Sequence, residues 1–212
     1  MKLYHFPFSP NSRRVLAVAY HLGIELELQA LDLPKGEHMQ PFFVKLNPNH
    51  QIPTLVDGDY VLWESAAIMI YLTTRKPGNT LYSGEPKTQS DINRWLFWNI
   101  ANWGSSCGVF IFERLVKKIL NLGDPDPGVI KKGEEQFHRF AQVLDHHLQG
   151  RDWLVGKDVT LADYAVGSYL DLSDAAQFPV QKYQEINRWY GNIQKLDAWK
   201  KSAPDNFMGK QK

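Results

Sequence analysis

Three short stretches combine polar side chains with chain breaks that leave backbone donors open. Ser9-Pro10-Asn11-Ser12-Arg13-Arg14 begins a helical pattern directly after a strand pattern. Ser9 there suits a helix N-cap, with Pro10 at the first helical position. The same helix start offers free N–H groups and the positive end of the dipole, which stabilise an anion placed beside it. His50-Gln51-Ile52-Pro53 puts a proline at a strand entry, where the missing donor is tolerated. With a cis Ile52–Pro53 bond, the Ile52 N–H and C=O can face outward and pair with an extended peptide. With a trans bond the proline is an ordinary edge residue. Trp63-Glu64-Ser65-Ala66-Ala67 marks another strand-to-helix junction. The Ser65 hydroxyl and nearby amides suit a carboxylate and Glu64 suits an ammonium. Alternatively, Ser65 is an N-cap and Glu64 an acid favoured by the helix dipole. If they converge, the three stretches can hold a small peptide with an anionic centre.

These residues need a scaffold. Lys2–Phe6 reads as a strand broken by Pro7 and Pro10. Val15, Leu16, Val18, Ala19 and Leu22 follow a helical period that Gly23 stops. Alternation over Ile24–Leu31 predicts a second strand, and His38–Leu46 a short helix ending before Asn47-Pro48. Thr54–Val56 and Tyr60–Trp63 flank Asp57-Gly58, a hairpin signal, and Ser65–Thr74 returns to helix. The order β-α-β-α-β-β-α predicts a parallel first pair with an antiparallel hairpin at the edge.

Residues 76–87 carry Pro, Gly and Ser without a period and read as a linker. Strand signals then stop, and segments near 88–121, 129–149, 160–176, 180–195 and 196–202 read as helices. Thr160-Leu161-Ala162-Asp163 fits a variant capping box that nucleates a buried helix. The expected domains are 1–76, mixed α/β; 77–87, linker; and 88–212, all-helical.

Composition limits the function classes. The 24 basic and 23 acidic residues leave a net charge of +1, without the basic excess of a nucleic-acid or anionic-membrane binder. Cys107, the single cysteine, excludes an intrachain disulfide and any CxxC site. Apolar runs such as Ala66–Leu72 are too short to span a membrane, and the amino terminus lacks the apolar stretch of a signal peptide. A cytoplasmic protein without nucleic-acid or membrane partners is expected.

Residues 36–72, GEHMQPFFVKLNPNHQIPTLVDGDYVLWESAAIMIYL, closely resemble the glutathione-binding segment of theta- and delta-class cytosolic glutathione S-transferases. LVGKDVTLAD at 154–163 resembles that family's helix-capping motif, and WYGNIQKLDAWKK at 189–201 is also family-like. The resemblance implies a thioredoxin-like N-terminal domain, an all-helical C-terminal domain and a homodimer. It also implies glutathione as co-substrate, a small apolar electrophile and no metal.

By the same resemblance, Ser9 contacts the glutathione sulfur. Ile52, before Pro53, pairs with the cysteinyl backbone. Glu64 and Ser65 hold the γ-glutamyl end, while His38 and His50, with Gln51 beside it, lie toward the glycyl end. Two departures stand out. Ala66 occupies a position where many delta-class members carry arginine. Ser9-Pro10-Asn11-Ser12 also resembles the loop of a bacterial and fungal subgroup in which an asparagine contacts the sulfur, so Asn11 competes with Ser9.

Trp103, Cys107, Phe110 and Phe112 fall where the family lines its electrophile pocket; the other reading makes them core, with Cys107 a small buried hydrophobe. Asp91 and Arg94 suit a solvated or interface pair. The leading function is glutathione transfer. The alternatives are glutathione-dependent peroxide or disulfide reduction in the same pocket, or a non-catalytic glutathione-binding scaffold.

Overall fold

The first strand, β1 (Lys2–His5), lies inside a four-stranded sheet in a computed structural model that describes residues 1–207. Helix α1 (Pro10–Leu22) follows it, then β2 (Glu27–Ala30), a 3-10 turn (Glu37–Met39) and α2 (Pro41–Val44). A hairpin of β3 (Thr54–Asp57) and β4 (Tyr60–Trp63) leads into α3 (Ser65–Thr74). Strand order is β2-β1-β3-β4, with β1 parallel to β2 and antiparallel to β3. Gly58, at φ 63°, adopts the left-handed backbone that the tight β3–β4 turn requires.

Local chemistry sets the element ends. Gly23, at φ 62°, closes α1 by donating to the Ala19 and Tyr20 carbonyls. The expected apolar face of α1, from Val15 to Leu22, is buried. β2 is shorter than the alternation suggested because β1 offers partners only from Lys2↔Glu27 to His5↔Ala30. The expected helix over His38–Leu46 divides in two. Pro41 cannot donate, and Gln40 before it stays extended at φ −72°, ψ 146°.

The helical region begins with α4 (Pro86–Trp98), whose Glu85 carboxylate accepts from the Lys87 and Thr88 amides at 3.0 and 2.7 Å. That cap moves the start two residues ahead of the expected 88. Two π turns, Asn99–Trp103 and Phe112–Val116, separate α4 from α5 (Gly104–Ile111) and α6 (Lys117–Leu120). Then come α7 (Pro127–His147), α8 (Leu161–Gly167) with a 3-10 extension (Ser168–Leu172), α9 (Gln184–Lys195) and α10 (Asp197–Lys201). Helix α9 starts later than the apolar period suggested. Asp145 Oδ1, on α7, receives the Glu185 and Ile186 amides at 3.0 Å each and fixes its beginning.

The chain forms two compact units. One is Met1–Tyr82 together with the C-terminal segment from Lys195; the other is Ser83–Gln194. Assigning the whole C-terminal part to the helical domain therefore misplaces its last segment. The reason is Arg13, almost fully buried on α1. Its guanidinium lies 4.1 Å from the Trp199 ring centre and donates to Ser202 Oγ and the Trp199 carbonyl at 3.4 and 3.5 Å. A desolvated cation–π contact contributes on the order of 2 kcal/mol.

In the second unit, Asp163 is the polar centre. Fully buried, its carboxylate accepts from Leu154 N–H, Thr160 N–H, Thr160 O–H and Trp189 Nε1–H at 2.8–3.0 Å. Burial pushes its carboxyl up, and those four donors oppose the shift.

Candidate active site

Sheet register decides which loops meet. Tyr4 pairs with Thr54, and Thr54 pairs with Trp63. The carboxyl end of β1, the amino end of β3 and the carboxyl end of β4 therefore lie side by side. Ser9, Ile52-Pro53 and Glu64-Ser65 all leave that one edge. Because β2 runs parallel to β1, the segment carrying His38 leaves it too. Neighbouring strands lie about 4.8 Å apart, so the β1-to-β4 span is roughly 10 Å, the length of three extended residues.

Ser9 caps α1 by accepting the Ser12 amide at 3.3 Å, and its own N–H donates to the Phe6 carbonyl at 3.0 Å. Accepting through oxygen leaves the hydroxyl proton available, and among the described residues it has no acceptor. Pro10 has no N–H, so the Asn11 amide is the open donor of this turn. The half-buried Asn11 side chain makes no hydrogen bond among the described residues, so both candidates for the sulfur contact stand beside one helix start.

The Ile52–Pro53 peptide bond is cis, and the Ile52 backbone makes no hydrogen bond among the described residues. The adjoining loop is held by buried Asn47. Its Nδ2 donates to the Gln51 carbonyl at 2.7 Å and to Thr54 Oγ1 at 3.1 Å, while its Oδ1 accepts the Asn49 amide at 3.0 Å. Sequence reading missed this residue, although Asn-Pro-Asn signalled a side-chain-supported turn. Gln51 itself is exposed.

Glu64 stands at φ 71°, ψ 111°, and occupies the N-cap position of α3 without a side-chain capping bond. Ser65 is therefore the first helical residue, not the cap, because the helix begins one residue earlier through the Ile68 N–H to Glu64 C=O bond at 2.9 Å. Open first-turn amides thus sit beside the Ser65 hydroxyl, with the exposed Glu64 carboxylate next to them. His50 also has a left-handed backbone, at φ 57°, with Nδ1 3.2 Å from Met39 Sδ. His38 is half-buried, and its buried Nδ1 has no partner. Non-glycine residues in such conformations store roughly 1–3 kcal/mol, and here two occur within the candidate site.

A largely apolar cavity of about 310 Å³ is lined by Phe6, Pro7, Phe8, Leu31, Pro34 and Phe207, with Asp32 in its wall, and Phe8 is the residue before Ser9. The Phe6-Pro7-Phe8 run was its sequence signal and went unread. Next to Phe207, buried His5 has its ring centre 5.7 Å away, and burial lowers its pKa to about 4.

Trp103, Cys107, Phe110 and Phe112 carry two readings from the sequence, electrophile pocket or core. Trp103, Cys107 and Phe110 belong to the core of the second unit, with Phe137 5.0 Å from Trp103 and 5.7 Å from Phe110. Their burial leaves no surface for a ligand. Only Phe112 of the four is exposed. Asp91 and Arg94 form an exposed pair at 3.2 Å. No helix among the described residues is long and apolar enough to cross a membrane.

A thioredoxin-like unit with a small mixed sheet and a helical unit define the class. Residues 1–74 match the glutathione S-transferase N-terminal domain, and residues 110–197 match its C-terminal domain. Glutathione S-transferase D7 of Drosophila melanogaster is 30% identical over 214 residues, covering 100% of this chain and 92% of the relative. Glutathione transferase F2 from Populus trichocarpa superposes with a TM-score of 0.89 at 26% identity, covering 98% and 99% of the two chains. A Nilaparvata lugens delta-class glutathione transferase gives 0.84 at 29% identity over 98% and 95%. The chain belongs to the glutathione S-transferase family and is a glutathione transferase.

Proposed function

We propose that Ser9 donates its hydroxyl proton as a hydrogen bond to the glutathione sulfur and holds it as thiolate for attack on an apolar electrophile. The carrying observation is that Ser9 Oγ is held by the Ser12 amide while its O–H remains unused beside the start of α1. A free thiol titrates near pH ~8.5, and lowering that by about two units takes ~2.7 kcal/mol. A hydrogen bond to a charged acceptor contributes roughly 1.5–3 kcal/mol and a helix terminus about 0.3–1. The two together suffice without a protein base.

The Ile52 N–H and C=O pair with the cysteinyl backbone of glutathione. Ser65 and the α3 amides take the γ-glutamyl carboxylate, Glu64 takes the ammonium, and His38, His50 and Gln51 lie toward the glycyl end. The electrophile sits in the Phe6-Phe8-Phe207 cavity, where the sulfur forms its new carbon bond as the leaving group departs or an epoxide opens. The protein acts as a homodimer in the cytoplasm, where a reducing environment keeps the glutathione thiol available. Disulfide exchange through a protein dithiol is disfavoured because Cys107 is the single cysteine and is buried.

Ultraviolet titration of bound glutathione tests the reading. Ser9→Ala should raise the thiol pKa and slow conjugation of an aryl halide. If Ser9→Ala leaves both unchanged while Asn11→Ala impairs them, the sulfur contact belongs to Asn11.

A further inference from the structure

The segment after β2 and the segment before β3 meet through a side-chain contact at the edge of the candidate site. Met39 closes the 3-10 turn Glu37–Met39, and its sulfur lies 3.2 Å from His50 Nδ1. Met39 is 55% exposed. The chain just after it is fixed by the extended Gln40 and by Pro41, which begins α2. His50 is held from its own side, where its N–H donates to the Asn47 carbonyl at 3.0 Å. Sulfur can only accept from the ring, so Nδ1 is the donor in this contact. When the ring is charged both nitrogens donate, and Nε2, which has no hydrogen-bond partner among the described residues, is then free to meet a carboxylate. Met39 thus sets where the His50 ring stands.

An exposed thioether is also open to two-electron oxidation. The sulfur lone pair attacks the outer oxygen of a hydroperoxide. The S–O bond forms as the O–O bond breaks, and the proton of the outer oxygen passes to the departing oxygen, giving a sulfoxide and an alcohol, or water from hydrogen peroxide. Sulfur is oxidised and the peroxide is reduced. The sulfoxide is polar, and its oxygen accepts more strongly than the thioether sulfur. An N–H···O bond needs about 2.9 Å between nitrogen and oxygen. The present 3.2 Å from nitrogen to sulfur leaves no room for an oxygen between them, so the ring must move to make that bond.

We propose that Met39 is an oxidation site through which hydroperoxides weaken glutathione binding, its sulfoxide drawing His50 away from the glycyl carboxylate. The inference rests on the reading that His50 lies toward the glycyl end. Met39 is a positioning residue here, and the chemistry at Ser9 is untouched. Limited treatment of the full-length protein with hydrogen peroxide, removed by catalase before assay, tests it. Peptide mass spectrometry should find sulfoxide at Met39 while Met69, fully buried on α3, stays reduced. KM for glutathione should rise roughly 2- to 10-fold, the range of one partly exposed hydrogen bond, with kcat at saturating glutathione unchanged. Methionine sulfoxide reductases should restore KM. Met39→Leu should keep its own KM through the same treatment. Oxidation of Met69 ahead of Met39, an equal rise in peroxide-treated Met39→Leu, or a KM indifferent to Met39 sulfoxide while His50→Asn raises it, would each overturn the proposal alone. His50→Asn keeps a residue type that tolerates the left-handed backbone. If that variant leaves KM unchanged, the glycyl assignment of His50 fails and takes the proposal with it.

Discussion

The starts of α8 and α1 are built from similar residue types and serve opposite ends. At α8, Thr160 and Asp163 satisfy one another, and the Asp163 carboxylate also takes the Leu154 amide and the Trp189 indole. Every one of these groups is buried and already paired. At α1, Ser9 makes one capping bond at 3.3 Å, Pro10 contributes no donor, and the Ser9 O–H and Asn11 amide stay open at a half-buried position. The start of α3 resembles α1 in this respect, since Glu64 caps with backbone only. A cap with all its valences filled supports folding; one left incomplete beside open space can bind a ligand.

The contrast can be broken most forcefully at α8. Asp163→Ala would strand three N–H donors and a hydroxyl in the core, at a cost of about 3–5 kcal/mol, read as a lower urea midpoint. Activity per folded molecule should be nearly unchanged, and a large loss of activity in the folded fraction would show that α8 also acts at the site.

A second effect, of about 3 kcal/mol, belongs to His5 in the first unit. Its folded pKa of about 4 lies below the ordinary 6.5, so the neutral ring is favoured by folding. Its contribution is complete above pH 6.5 and is lost as pH falls toward 4. His5→Phe should flatten the stability profile over that window; an unchanged profile would assign the acid sensitivity to other groups.

Ser9→Ala should behave as the mirror of Asp163→Ala. The stability loss is only about 1 kcal/mol, as for a lost cap, whereas kcat/KM should fall roughly 10- to 150-fold, equivalent to about 1.5–3 kcal/mol of lost thiolate stabilisation. The smallest change is Glu64→Gly. Relief of the φ 71° backbone should raise stability by about 1 kcal/mol while KM for glutathione increases. A stabilised variant with unchanged KM would remove Glu64 from the binding site.

Much of the first unit was legible because its signals are local. Gly23, Asp57-Gly58 and the α1 apolar period each express a backbone requirement of their own neighbourhood. Helix α9 was less legible because its cap, Asp145, comes from another helix. The pocket and core readings of Trp103, Cys107, Phe110 and Phe112 could not be told apart for a related reason. Apolar residues at helical spacing look alike whether they face a ligand or a core, and packing against Phe137 takes Trp103 and Phe110 inside. Phe207 could not be connected to Ser9 at all, because the two are distant along the chain and meet the same region only through the Arg13–Trp199 anchorage of the last segment.

By itself, the sequence determined the element types, the two-part organisation, the glutathione-transferase resemblance and the three polar stretches, since each depends on periodicity or on residues close in the chain. Tertiary structure decided which end of the sheet those stretches share, that Ile52–Pro53 is cis, and that Glu64 rather than Ser65 caps α3. It also decided which aromatic residues surround open space. Strand register and side-chain burial depend on partners far away in the chain, and local propensity carries no information about those distances.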